Sequence, residues 1–141
     1  MAKSILYVCN LNAVRSVLAE YMTNAWYEQE VHAQSCGVIA GSPDGYAASV
    51  GLENDIDITA HESRYLSDID VSGFDEIISF SLDAHNEVAR LSLPPHIKTA
   101  LWEVSDFANV DNDRQARLAA YRLVYQDIET HLLGHFGPKK G

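Results

Sequence analysis

With 141 residues, 47% of them hydrophobic, the chain is long enough to bury one core and too short for two ordinary domains. Its 20 Asp and Glu against 10 Lys and Arg give a formal net charge of −10, which disfavours nucleic acid and acidic membranes as partners, since both need a basic face. Two cysteines make no disulfide framework and no Cys-x-x-Cys pair, so no structural zinc site is expected. The first residues lead into a strand with no apolar leader pattern, and no apolar run approaches membrane-spanning length. A single cytoplasmic domain over 1–141 is expected, with no metal or cofactor.

Ile5, Leu6, Tyr7 and Val8 form a continuous apolar run, the pattern of a strand buried on both faces of a parallel sheet. Beyond a short loop, Val14, Val17, Leu18 and Tyr21 recur at helical spacing and predict a helix to about residue 29. Residues 31–36 read as a second strand, and 37–45, with Gly37, Gly41, Pro43, Asp44 and Gly45, as a loop. Residues 46–54 read as a helix packed through Ala47, Val50 and Leu52, with Tyr46 either in that packing or near the cleft. The stretch 56–66 carries His61, expected to brace backbone, and Arg64, expected to meet a nearby carboxylate.

A third strand is predicted over 74–80, centred on Ile77 and Ile78, then a helix opened by Ser81 or Asp83 and closed before Pro94 and Pro95. The fourth strand, 97–102, delivers Glu103, Val104, Ser105 and Asp106 to the sheet edge where Cys9 ends the first strand. Leu118, Tyr121, Leu123, Val124, Ile128, Leu132 and Leu133 predict a long closing helix over about 111–136, ahead of a loose tail. Strands alternating with helices indicate an α/β domain with a parallel sheet.

The chemistry gathers between the first strand and the first helix. Cys9 is followed by Asn10, Leu11, Asn12, Ala13 and Val14, then by Arg15 and Ser16. A loop joining a parallel strand to a helix points backbone N–H groups at a common centre, where the helix N-terminus adds partial positive charge. A tetrahedral dianion fits such a loop. Arg15 would grip two of its oxygens, and the same groups would favour the Cys9 thiolate facing a bound phosphorus. Cys36, expected to end a neighbouring strand close to Cys9, reads as a buried inert residue or, more sharply, as its redox partner.

These residues resemble the low-molecular-weight protein tyrosine phosphatases, a family that also contains thiol-coupled arsenate reductases, and the likeness runs nearly end to end. The family's loop usually reads Cys-x-Gly-Asn-x-x-Arg-Ser-Pro. Cys9, Asn12, Arg15 and Ser16 stand at matching positions, with Leu11 in place of the Gly and Val17 in place of the Pro. The resemblance implies a three-layer α/β fold, a four-stranded parallel sheet in the order 2-1-3-4 with helices on both faces. It also implies that Ser35 and His61 brace the loop through Asn12 and Ser16, and that Asp106 is the general acid. Chemistry alone leaves Glu103, Asp111 and Asp113 open for that role. Gly37 keeps the family's Ser-x-Gly pattern, Val14 replaces a frequent second cysteine, and Phe107 replaces a Pro after the acid. Leu11 is expected to strain or narrow the loop.

The expected reaction is hydrolysis of a phosphate monoester through a phosphocysteine, on a phosphotyrosine-containing protein or a small aryl phosphate. Two other readings stay open: reduction of arsenate with an external thiol or redoxin, and a phosphate- or phosphopeptide-binding module whose catalysis Leu11 has impaired.

Overall fold

The computed structural model describes residues 3–39, 41, 44–104 and 113–140. Four parallel strands, β1 (Lys3–Leu11), β2 (Val31–Ile39), β3 (Glu76–Ser79) and β4 (Lys98–Leu101), lie in the order β2-β1-β3-β4. The helices between and after them are α1 (Arg15–Trp26), α2 (Gly45–Glu53), α3 (Leu82–Ala89) and α4 (Arg114–Phe136). The expected three-layer α/β architecture and strand order are both found.

Alternation along β1 divides the core in two. Ile5, Tyr7 and Cys9 face a large apolar cluster with Val17, Leu18 and Met22 of α1, Ala47 and Val50 of α2 and Val124, Ile128 and Leu132 of α4. Leu6 and Val8 face the opposite way, into a smaller cluster with Cys36, Ile77, and Ala84 and Val88 of α3. Because β1 lies between two strands and two helical layers, its residues from Ile5 to Cys9 are all buried. Tyr7 anchors the large cluster: its ring stacks on Phe80 at 5.6 Å, and its hydroxyl is 2.8 Å from Thr23 Oγ1 of α1.

Several predicted bounds shift for local reasons. The first helix stops at Trp26 rather than near 29, because Tyr27 buries its ring and sends its hydroxyl to the Gly137 carbonyl at 2.7 Å, turning the chain into β2. β2 runs on through Ile39, so Gly37 lies inside a strand and not in a loop. β3 and β4 are each shorter than read. Leu52, Leu123 and Leu133, expected to pack, are exposed. The tail is tied rather than loose: Lys140 N–H donates to the Trp26 carbonyl, Lys140 Nζ meets Glu30, and Lys139 Nζ sits 4.0 Å over the Trp26 ring.

Asp44 fixes the start of α2 and its seat on α4. One carboxylate oxygen accepts from the N–H groups of Tyr46 and Ala47, and the other accepts from the Tyr121 hydroxyl at 2.8 Å. Tyr46 packs against the Tyr121 ring at 5.4 Å, which settles it as a packing residue. Asp44→Ala removes a helix cap and a charge-assisted bond together, with an expected loss of about 2 kcal/mol in urea unfolding. Asp44→Asn retains a capping oxygen and is expected to lose less than half of that. Equal losses for the two variants would show that the cap contributes nothing.

Candidate active site

Asn12 is the pivot of the loop between β1 and α1. Its side chain is fully buried and every polar atom on it is engaged. Nδ2 donates to Ser16 Oγ and to Ser35 Oγ, each at 3.0 Å. Oδ1 accepts from His61 Nε2 at 2.8 Å and from the Arg64 N–H at 3.1 Å. The Asn12 carbonyl accepts from Ser63 Oγ at 2.6 Å. The start of α1, β2 and the stretch 61–64 thus meet on one side chain. Because Nδ2 is committed to the hydroxyls, Oδ1 is the acceptor and His61 carries its proton on Nε2. Burial, with the Arg64 charge nearby, holds the His61 pKa below the ordinary histidine range, so the ring is neutral at neutral pH.

A second layer supports this clamp. Ser35 donates its hydroxyl proton to Glu20 Oε1 at 2.7 Å, and Arg64 Nη1 stands 3.6 Å from the same oxygen. Glu20 is buried, which pushes its carboxyl pKa up, against the opposing pull of the Ser35 bond and Arg64. Glu20, Ser63 and the Arg64 backbone were not singled out from sequence. Glu20 left a signal there, being one turn beyond Ser16 on the face of α1 that also carries Thr23.

Cys9 ends the buried part of β1 at the carboxyl edge of the sheet, and Ser16 Oγ lies 2.8 Å from its sulfur. With the Ser16 oxygen already accepting from Asn12, the Ser16 proton is free to point at the sulfur. Burial pushes the Cys9 pKa up, while Ser16, Arg15 and the Ala13 N–H oppose that shift. Arg15 opens α1, but its Nη1 donates to the Phe80 carbonyl at 3.0 Å. β1 continues to Leu11, opposite Ile39 of β2, and the backbone N–H groups of Ala13 and Ser16 face the Cys9 sulfur. Asn10 points to the other side, where its Oδ1 accepts from Ser81 Oγ at 2.8 Å. Ala13 and Val14 complete the loop, Val14 buried beneath it.

Cys36 lies in register with Val8, whereas Cys9 pairs with Gly37, so the two thiols project from opposite faces of the sheet. That corrects the reading of Cys36 as a redox partner. Burial, and secondarily Cys9, raises the Cys36 pKa to about 12, which makes it inert as a nucleophile. Among the candidate acids, Asp113 is the N-cap of α4, with Oδ2 accepting from the Ala116 N–H at 3.0 Å. Glu103 is exposed, and its carbonyl meets His131 Nε2. Asp106, Phe107 and Asp111 lie outside the described residues.

A cysteine and an arginine flanking one braced loop, at the carboxyl edge of a 2-1-3-4 parallel sheet, define a class of α/β domains that carry a thiol beside an oxyanion loop. Residues 4–137 match the low molecular weight phosphotyrosine protein phosphatase family, and the chain belongs to it. The tyrosine phosphatase amsI of Erwinia amylovora has the same fold, with a TM-score of 0.69 at 26% identity over 95% of this chain and 93% of its own. An arsenate reductase in its phosphate-binding state aligns with a TM-score of 0.66 at 20% identity, covering 94% of this chain and 98% of that one. The arsenate reductase of Bacillus subtilis strain 168 is 25% identical over 130 residues, 92% of each chain.

Proposed function

We propose that the protein hydrolyses phosphate monoesters of the aryl class, phosphotyrosine in a protein or a small aryl phosphate, in the cytoplasm. The reading is supported by family membership together with one observation: Cys9 and Arg15 flank a single loop whose pivot, Asn12, is held by Ser16, Ser35, His61 and Arg64. Cys9 thiolate attacks phosphorus in line, forming the S–P bond as the P–O bond to the leaving group breaks. Asp106, as a neutral acid, gives that leaving oxygen its proton. Water then attacks the phosphocysteine, its proton returning to Asp106, and phosphate leaves with Cys9 restored as thiolate. Arg15 and the loop residues from Asn10 to Val14, with Ser16, carry the charge on the equatorial oxygens through both steps.

The names of the curated relatives favour a second reading, arsenate reduction. With Cys36 facing away from Cys9 and no third cysteine in the chain, the electrons would come from an external thiol or redoxin. The two readings separate on the native protein, assayed for para-nitrophenyl phosphate hydrolysis and, in parallel, for arsenate reduction with added thiols. Hydrolysis without added thiol is the expected result. Arsenate reduced with thiol, with no hydrolysis, would replace the phosphatase reading by the reductase. Phosphate binding with neither reaction would leave a binding module.

A further inference from the structure

Trp102 follows the last residue of β4 and links the candidate site to α4. Its N–H donates to the Ser79 carbonyl at 2.8 Å, carrying the ladder one residue past the strand. Its buried ring is tilted against Tyr7 at 6.1 Å and stands edge-on to Phe80 at 6.1 Å. Phe80 donates its own N–H to the Val8 carbonyl at 2.9 Å, next to Cys9, and its carbonyl accepts from Arg15 Nη1. The Trp102 ring thus bears on the backbone that neighbours both Cys9 and Arg15.

From α4, His131 lies flat on the Trp102 ring, with centroids 5.0 Å apart and planes 6° apart, and His135 stands edge-on one turn later at 5.3 Å. His131 does more than pack. Its Nε2 lies 2.9 Å from the Glu103 carbonyl oxygen. A carbonyl has no proton to give, so Nε2 carries the hydrogen and donates it. The stack alone would be met by any flat ring; the bond requires a donor. Val104, the next residue, packs against the large apolar cluster. The chain leaving β4 is therefore held at 102, 103 and 104 by three different interactions, and His131 takes part in the first two.

Glu103 stands three residues before Asp106 in the sequence. Three residues of chain reach at most about 10 Å, so a carbonyl pinned at 103 limits where a carboxyl at 106 can stand. An acid must come within hydrogen-bond reach of the leaving oxygen, and a misplacement of about an ångström is costly. We propose that His131 is a positioning residue for the leaving-group proton: stacked on Trp102 and bonded to the Glu103 carbonyl, it sets the point from which the chain carries Asp106 to the substrate. The proposal rests on the reading of Asp106 as the general acid.

Its test is kcat/KM of the full chain on phenyl phosphate, whose leaving oxygen needs a proton, and on 2,4-dinitrophenyl phosphate, whose leaving oxygen is stable without one. His131→Phe keeps a flat ring for Trp102 and removes the donor; it should lower the ratio of phenyl to dinitrophenyl activity by about tenfold. His131→Gln, which returns an N–H, should recover most of that ratio. Asp106→Asn should lower the same ratio by about 100-fold, which tests the acid reading by itself. An unchanged ratio in His131→Phe, whether both activities fall together or neither falls, would overturn the positioning role, while the drop in Asp106→Asn would keep the acid in place. An unchanged ratio in Asp106→Asn, or no hydrolysis of either ester by the native protein, would overturn the acid reading and the proposal together. The nitrogen-15 spectrum of the native protein tests the bond without any substitution: a proton on Nε2 of His131 is expected, and a ring protonated on Nδ1 alone would overturn the proposal.

Discussion

Cys9→Ser is expected to lower para-nitrophenyl phosphate turnover by about four orders of magnitude or more, the scale seen when a nucleophile that acts as part of a unit is removed. The physical reason is the ease of forming the attacking anion. Ser16 and Arg15 favour the Cys9 thiolate against the upward push of burial, and thiolate is a strong nucleophile for phosphorus. A serine hydroxyl in the same place stays neutral. The variant should nevertheless fold as the native protein does, because a hydroxyl still meets Ser16 and the removed volume is small. Stability within about 1 kcal/mol of native is expected from urea unfolding. Turnover reduced less than tenfold in a folded Cys9→Ser would remove Cys9 from the reaction, whatever the family of the chain.

The reach of sequence reasoning here follows from which interactions are local. The apolar run Ile5–Val8 announced a strand buried on both faces because each residue reports its own surroundings. The periodic apolar residues of α4 and the cap at Ser81 are local in the same sense. What could not be read is set by register between strands. Whether Cys36 meets Cys9 turns on parity: a shift of one residue between β1 and β2 would put both thiols on one face, and no local pattern fixes that shift. The continuation of β1 past Cys9 has the same origin, since it needs Ile39 opposite Leu11. The clamp on Asn12 draws on residues 16, 35, 61, 63 and 64, whose convergence only the fold creates. Family resemblance supplied Ser16, Ser35 and His61; Ser63 and the Arg64 backbone carry no motif of their own.

Gly37→Ala should do more damage than any other single methyl added near the loop. A Cβ at Gly37 would lie 2.6 Å from the Asn12 backbone nitrogen, 2.6 Å from the Ile39 carbonyl oxygen and 3.0 Å from the Asn10 carbonyl oxygen. All three are backbone atoms, so no side chain can swing aside to make room. Nor can β2 retreat, because the Gly37 N–H is bonded to the Arg64 carbonyl at 2.9 Å and the strand is registered residue by residue against β1. The methyl must therefore displace Asn12, the residue on which the loop's bracing converges. Overpacking with loss of that bracing is expected to cost about 3 kcal/mol in urea unfolding. Misplacing the loop by about an ångström should lower kcat/KM on para-nitrophenyl phosphate by about 100-fold. Gly45→Ala is the control: nothing lies within 4 Å of its added Cβ, and the first position of α2 accepts alanine without strain. It should leave turnover unchanged and stability equal or slightly higher. If Gly37→Ala matched Gly45→Ala in both measurements, the loop backbone could not lie against β2, and the placement of the Asn12 backbone beside Gly37 would have to be abandoned.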